Sequence, residues 1–320
     1  MAEFITISES EAGMRLLRWF VRHYPAMLQR DFYKLCRGGQ IRINSSRCKG
    51  MEILNNGDIV RVPPTLQSYK NVKKKETGEN FSLSDLENLR KCIIHNDADI
   101  VVFNKPAGLA VQGGTGIKKS IDKMAAALFP YDKISLVHRI DKETSGLLVV
   151  AKNQRAAQDL SLQFQNKTAH KEYLALLQGN MAQKSGIIDN YMAKGQVFEE
   201  FNKIPSGVVA QRAVTEYKVI GEASGLLSWV LFSPHTGRTH QLRLHSAFSL
   251  NAPIVGDDLY NRRNNKLDGI LGSFLTTQKL FLFAYRITFK HPGSGKMMTL
   301  RADVPDFMQS VIRFLEFKLP

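Results

Sequence analysis

The run Gly146-Leu147-Leu148-Val149-Val150-Ala151 constrains the fold more than any other stretch of the chain. It has no polar side chain to turn toward water, so it predicts a strand buried on both faces inside a sheet. Residues 100–103 and 228–232 have the same β-branched and aromatic character, and residues 156–165 have a helical pattern. Residues 93–318 therefore read as one large body of mixed strands and helices. Directly before the apolar run, seven polar or charged residues lie between Val137 and Gly146, interrupted by Ile140. A loop at the edge of a buried sheet holds reactive side chains rigidly while leaving them accessible. Asp141, flanked by Arg139 and Lys142, is expected to be ionised at neutral pH. Taken alone, the loop fits equally well a structural turn in which Asp or Thr caps a helix.

The first part of the chain has another character. The 320 residues carry 44 Lys and Arg against 29 Asp and Glu, a net charge of +15. Residues 1–75 hold fourteen of those cations and only six of the acids. Such a concentration suits a phosphate backbone, although a solvated surface would carry it too. Met14, Leu17, Phe20 and Val21, then Leu28, Phe32 and Leu35, predict two short amphipathic helices broken near Pro25. Arg15, Arg18, Arg22, Arg30, Lys34 and Arg37 decorate the positions between. Residues 41–44 and 59–62 alternate as strands do, and Pro63-Pro64 ends the second run. The polar stretch 65–92, with Lys73-Lys74-Lys75-Glu76, reads as a linker holding a short helix near 84–89.

Several classes of function find no support. No apolar run approaches the roughly 18 residues of a membrane span, and no export is expected, since residues 1–4 lack a basic stretch followed by an apolar one. Cys36, Cys48 and Cys92 are odd in number and lack CxxC spacing, so a reducing cytosol is expected rather than a disulfide framework. The glycine-rich residues 108–120 do not form a P-loop, because Gly116 is followed by Ile117. No nucleotide cofactor is expected, and Lys105-Pro106 with Gly108 reads as a tight turn. His235, His240 and His245 are five residues apart, which points neighbours away from one another on a strand or a helix. No metal is expected there. No G-x-S-x-G elbow offers an acyl-transfer serine.

Two resemblances sharpen this reading. Residues 15–20, 35–44 and 56–60 resemble the S4-type RNA-binding domain in order and spacing. His138-Arg139-Ile140-Asp141-Lys142-Glu143-Thr144-Ser145-Gly146-Leu147-Leu148 resembles the signature of the ribosomal large-subunit pseudouridine synthases. Lys171-Glu172-Tyr173-Leu174-Ala175, residues 236–245, and Leu282-Phe283-Ala284 with Phe289-Lys290-His291-Pro292 resemble the later motifs of that family, and Asn104-Lys105-Pro106-Ala107-Gly108 an earlier one. Residues 111–116 look most like its C-type members. Phe283 stands where the family usually has His, and residues 199–212 are diverged.

The resemblance implies an α+β protein: an S4-like RNA-binding domain over residues 1–70, a linker over 71–92, and a catalytic domain over 93–320. The catalytic domain would be built on a mixed, mainly antiparallel sheet with flanking helices. It also implies isomerisation of uridine to pseudouridine in large-subunit ribosomal RNA, with no cofactor, by a monomeric cytoplasmic enzyme. By the same resemblance Asp141 is the essential carboxylate, and Arg243 is the cation expected beside it, with Arg238 competing for that place. Tyr173 would lie on the uracil, Leu282 would wall the pocket, and Arg139 would fill the space left by a flipped base. Arg15, Arg18 and Arg37 would meet RNA phosphates. A non-catalytic ribosomal-RNA-binding or assembly factor is the alternative, and a metal-dependent nuclease a third.

Overall fold

Apolar residues spaced by three and four build helix α1 (Leu16–His23), but among its described side chains the buried ones are Leu16, Trp19 and Phe20. Met14 and Leu17 are only half-buried, so the core-facing stripe differs from the expected one. The aromatic surface of Trp19 and Phe20 decides the phase of the helix. Trp19 packs 4.3 Å from the His23 ring, and its indole N–H donates to Glu11 at 3.2 Å. Helix α2 (Gln29–Arg37) brings Phe32 and Cys36 to the same core. One strand precedes the helices, β1 (Glu3–Thr6), and three follow them, β2 (Arg42–Ile43), β3 (Ser46–Arg47) and β4 (Ile59–Val62). They form an antiparallel sheet in the order β1-β4-β2-β3.

The computed structural model describes residues 2–24, 27, 29–66, 81–114, 116–193, 195–260, 272 and 279–320. Pro25, Leu28 and the polar run 73–76 lie outside them. The chain divides into two compact units, Met1–Asn80 and Phe81–Pro320. Helix α3 (Leu83–Lys91) opens the second. The Ser82 hydroxyl accepts from the Asp85 N–H at 3.1 Å and the Asp85 carboxylate accepts from the Ser82 N–H at 3.1 Å, a reciprocal cap. Leu89 anchors this helix in the main core, so part of the stretch read as linker belongs to the second body.

That body is organised by an 11-stranded sheet. Its first strands are β5 (Ile93–Asn96), β6 (Ile100–Lys105), β7 (Ser135–Leu136), β8 (Ser145–Ala151), β9 (His170–Gln178) and β10 (Ser185–Ala193). Next come β11 (Gln196–Phe198), β12 (Gln211–Ala223), β13 (Leu227–Pro234), β14 (Leu282–Lys290) and β15 (Met297–Arg301). The main path runs β11-β10-β12-β13-β9-β14-β8-β6-β5, with β15 on β14 and β7 on β8. Every residue of β8 is buried, which is the burial its sequence demands. Helices α4 (Ile121–Leu128) and α5 (Gln154–Gln165) add Ile121, Met124, Ala156 and Leu160 to the same core. The expected α+β architecture, with a mixed and mainly antiparallel sheet, is what the chain adopts.

Among the described residues, the β8–β14 pair is the parallel one, through Phe283 opposite Ser145 and Ala284 opposite Gly146. Gly146 makes it possible. Its φ is +109°, and a Cβ there would lie 2.3 Å from the Ala284 carbonyl oxygen. Only glycine permits both the backbone conformation and the approach.

Candidate active site

The loop between β7 and β8 carries His138, Arg139 and Asp141. It is followed by a strand, so the helix that Asp or Thr would have capped does not exist. Three contacts fix this loop. His138 Nε2 accepts from the Val149 N–H at 2.9 Å, and its ring stacks on Phe164 with centroids 4.4 Å apart. Desolvation, with Lys171 nearby, pulls the imidazole down to about 3, so it is neutral and can accept. Thr144 N–H donates to the Asp141 carbonyl at 3.2 Å.

The third contact comes from Lys105 at the end of β6. Its side chain is fully buried, and its ammonium donates to the carbonyls of Pro106, Leu109 and Lys142, each at 2.9 Å. Burial draws its pKa down to about 7 against the fields of Glu143 and Asp141. The expected turn at Lys105-Pro106-Gly108 is therefore a clamp on the Asp141 loop as well. Gly108 N–H joins it, donating to the same Lys142 carbonyl at 2.9 Å.

Asp141 faces a cavity of ≈ 460 Å³, whose wall also includes Arg139, Tyr173, Arg238 and Leu282. Tyr173 and Leu282 arrive on adjacent strands, since β9 pairs Tyr173 with Ala284 and Ala175 with Leu282 of β14. Burial, then the Asp141 carboxylate, holds the Tyr173 phenol well above the usual range, so it stays protonated. Lys171, two residues earlier on β9, lines the same cavity, and burial lowers its ammonium to about 8. Arg139 is exposed, with Nη2 donating to Thr239 Oγ1 at 3.3 Å. Leu282 is buried.

Gln241 builds the facing wall, a residue whose part the sequence reading did not single out. Its carbonyl oxygen accepts from the Thr236 hydroxyl at 2.7 Å and the Arg238 N–H at 3.0 Å. Its amide donates to the Val214 carbonyl at 3.0 Å and Thr215 Oγ1 at 2.9 Å. Arg238 reaches away from Asp141, donating through Nη1 to Gln211 at 2.9 Å and through Nε to the Arg212 carbonyl at 3.1 Å.

Arg243 corrects the expected pairing. It sits in helix α6 (Gln241–Leu244), outside the cavity lining, and binds Asp257 rather than Asp141. Nε meets Asp257 Oδ2 at 2.8 Å and Nη2 meets Oδ1 at 2.6 Å, with both side chains buried. Asp257 also accepts from the Leu259 and Tyr260 N–H groups at 3.0 and 3.1 Å, so it is already oriented for a bidentate partner. Asp141 acts on Arg243 through its field, without an ion pair.

The three histidines go to separate partners. His235 lies 2.9 Å from Glu216, His240 2.8 Å from the Tyr260 hydroxyl, and His245 between Thr215 at 2.9 Å and Asn190 at 3.0 Å. A different trio, His95, Asp97 and His291, converges elsewhere in the body. His291 Nδ1 accepts the Gly293 and Ser294 N–H groups at 3.1 Å each, which puts its proton on Nε2, facing Asp97 at 2.8 Å. That nitrogen has no lone pair to give a metal, and the trio reads as a structural tie.

In the N-terminal unit Arg15, Arg18 and Arg37 are exposed and have no ion pair among the described residues.

Comparison with known proteins gives the family. A family model for RNA pseudouridylate synthase matches residues 99–248. Ribosomal large subunit pseudouridine synthase C of Vibrio cholerae is 32% identical over 311 residues, covering 97% of this chain and 96% of its own. The protein of that name from Escherichia coli O157:H7 is 31% identical over 320 residues, covering 98% and 96%. The solved structure of human RNA pseudouridylate synthase domain containing 4 superposes with a TM-score of 0.61 at 26% identity, over 73% of this chain and 97% of that one. With relatives this similar along nearly their whole length, the chain belongs to the family of ribosomal large-subunit pseudouridine synthases.

Proposed function

We propose that the protein converts uridines of large-subunit ribosomal RNA to pseudouridine, with Asp141 as the essential carboxylate. The observation that carries this reading is the convergence of Asp141, a protonated Tyr173, Leu282 and Arg139 on one cavity. The reaction breaks the N1–C1′ bond, turns the uracil and rejoins it through C5. Asp141 serves either as nucleophile or as the base that opens a glycal route. Leu282 and Tyr173 hold the detached ring, and the Tyr173 hydroxyl relays the C5 proton as a neutral group, not as a resting phenolate. Arg243 acts on Asp141 from a distance, through its charge, while Asp257 holds it still.

A uracil stacked in RNA cannot reach this cavity, so it must be flipped out, at a cost of a few kcal/mol. Arg139, exposed at the rim, fills the vacated place because a guanidinium can stack and donate at once. The N-terminal unit acts as an S4-like RNA-binding domain, with Arg15, Arg18 and Arg37 on phosphates, and the second as the catalytic domain. The enzyme works as a cytoplasmic monomer without a cofactor.

Tritium release from 5-tritiated uridine in ribosomal RNA tests the reaction, using RNA from cells that lack the gene. The wild type should release tritium with metal chelated, and Asp141→Asn should lower the rate by at least about 10³-fold. Binding without release would favour a non-catalytic assembly factor, and strand scission needing a metal a nuclease.

A further inference from the structure

A second cavity, of ≈ 490 Å³, adjoins the first. Arg238, Thr239 and His240 line both, so one short segment separates them. The second has an apolar floor of Met192 and Leu244, an aromatic wall in Tyr260, and Val209 and Gln211 on its lining. Its size falls within the range of small-ligand pockets. The Gln211 amide nitrogen, Arg238 Nη2 and His240 Nε2 make no hydrogen bond among the described residues. Those are the donors and acceptors that read the edge of a base, and Tyr260 offers a face on which a base can stack.

His240 stands at the partition in the left-handed region, with φ +55°. An L-residue other than Gly or Asn holds that conformation at a cost of about 1 kcal/mol, which its surroundings must enforce. The Tyr260 hydroxyl, 2.8 Å from His240 Nδ1, is one such restraint, and Tyr260 itself lies 5.2 Å from the Arg243 guanidinium. The partition is thus tied to the Arg243–Asp257 pair.

We propose that this second cavity is a subsite for a nucleobase flanking the flipped uridine, an inference that rests on the base-flipping reading above. Extruding one base unstacks its neighbour, and a neighbour held in a pocket with donors and acceptors at its edge gives the enzyme sequence context beyond the uridine. The Arg238–His240 segment then works as a divider between two consecutive splayed bases. This gives the diverged residues 199–212 a role: Val209 and Gln211 lie in the part of the chain where a change of context preference needs no change in the chemistry.

Ultraviolet crosslinking of the full-length protein to large-subunit ribosomal RNA from cells lacking the gene tests it, read as nucleotide-bearing peptides by mass spectrometry. The wild type should carry a nucleotide adduct on Tyr260. Val209→Trp, a change on the cavity lining at a position 85% exposed, narrows the entrance and should lower that adduct at least tenfold. A wild type with no Tyr260 adduct, or a Val209→Trp protein with an unchanged one, overturns the subsite. Tritium release measured on the same RNA reports the isomerisation separately, so either reading can fail while the other stands.

Discussion

Arg243 and Asp257 are a buried pair whose members depend on each other more than the protein depends on the pair. Truncating one partner strands the other charge, whereas replacing both with apolar groups of similar volume is close to neutral. Asp257→Ala should therefore cost about 3–5 kcal/mol in urea unfolding, and Arg243→Met with Asp257→Leu should recover most of it. A double variant as unstable as the single one would mean that the cost lies in the Leu259 and Tyr260 amides that Asp257 caps. The sequence points to Arg243, but it cannot show which carboxylate the side chain prefers, because Asp257 enters no motif. Lys105 was hidden for a similar reason: its acceptors are main-chain carbonyls, which leave no mark in a sequence. The meeting of Asp141, Tyr173 and Leu282 on one cavity was legible because each lies in a contiguous run of residues that resembles a family motif. Two desolvated histidines set a pH dependence. Burial lowers His245 to about 4 and His138 to about 3. Unfolded histidines take up a proton near pH 6.5, while these stay neutral when folded, so the unfolded state binds more protons between those values. Stability is complete above about pH 6.5 and falls as the pH drops toward 4, by about 3 kcal/mol for His245 alone. Urea midpoints at pH 7 and 4.5 measure the fall, and His245→Gln should lessen the difference.

Strand β8 shows what an element carries beyond its own residues. Its apolar run announced a strand buried on both faces, but not its neighbours. The antiparallel pairing with β6 links residues about forty to fifty apart, and the parallel pairing with β14 links residues well over a hundred apart. No local pattern encodes such contacts. Helix α1 shows the opposite failure, where the period was legible and its phase was not, because Trp19 was left out of the apolar stripe. The β8–β14 contact also places the chemistry, since Gly146 stands five residues after Asp141 and directly against Ala284, two residues after Leu282. Gly146→Ala puts a methyl into backbone atoms and forces a left-handed φ on a residue that resists it. It should cost at least about 2 kcal/mol in urea unfolding and lower tritium release together with stability. A stable, fully active Gly146→Ala protein would show that β14 can move away from β8 without disturbing Asp141.

The net charge of +15 is divided unevenly along the chain, and the division makes a quantitative claim. Fourteen cations against six acids in residues 1–75 leave the segment with an excess of eight positive charges. Arg15, Arg18 and Arg37 are exposed examples, with no ion pair among the described residues. If these groups meet phosphates, each contact releases condensed counterions, and the logarithm of the RNA affinity falls with the logarithm of salt by about 0.7–0.9 per contact. Replacing Arg15, Arg18 and Arg37 together with Ala in the full chain should flatten that slope by about 2–3. Affinity at low salt should fall in parallel, while the rate of tritium release at saturating RNA should remain, because none of the three lines the Asp141 cavity. The two measurements separate grip from chemistry. A slope that stays the same would assign the charge of the N-terminal unit to solubility alone. A lower saturating rate would mean that these arginines orient the uridine as well as hold the RNA that carries it.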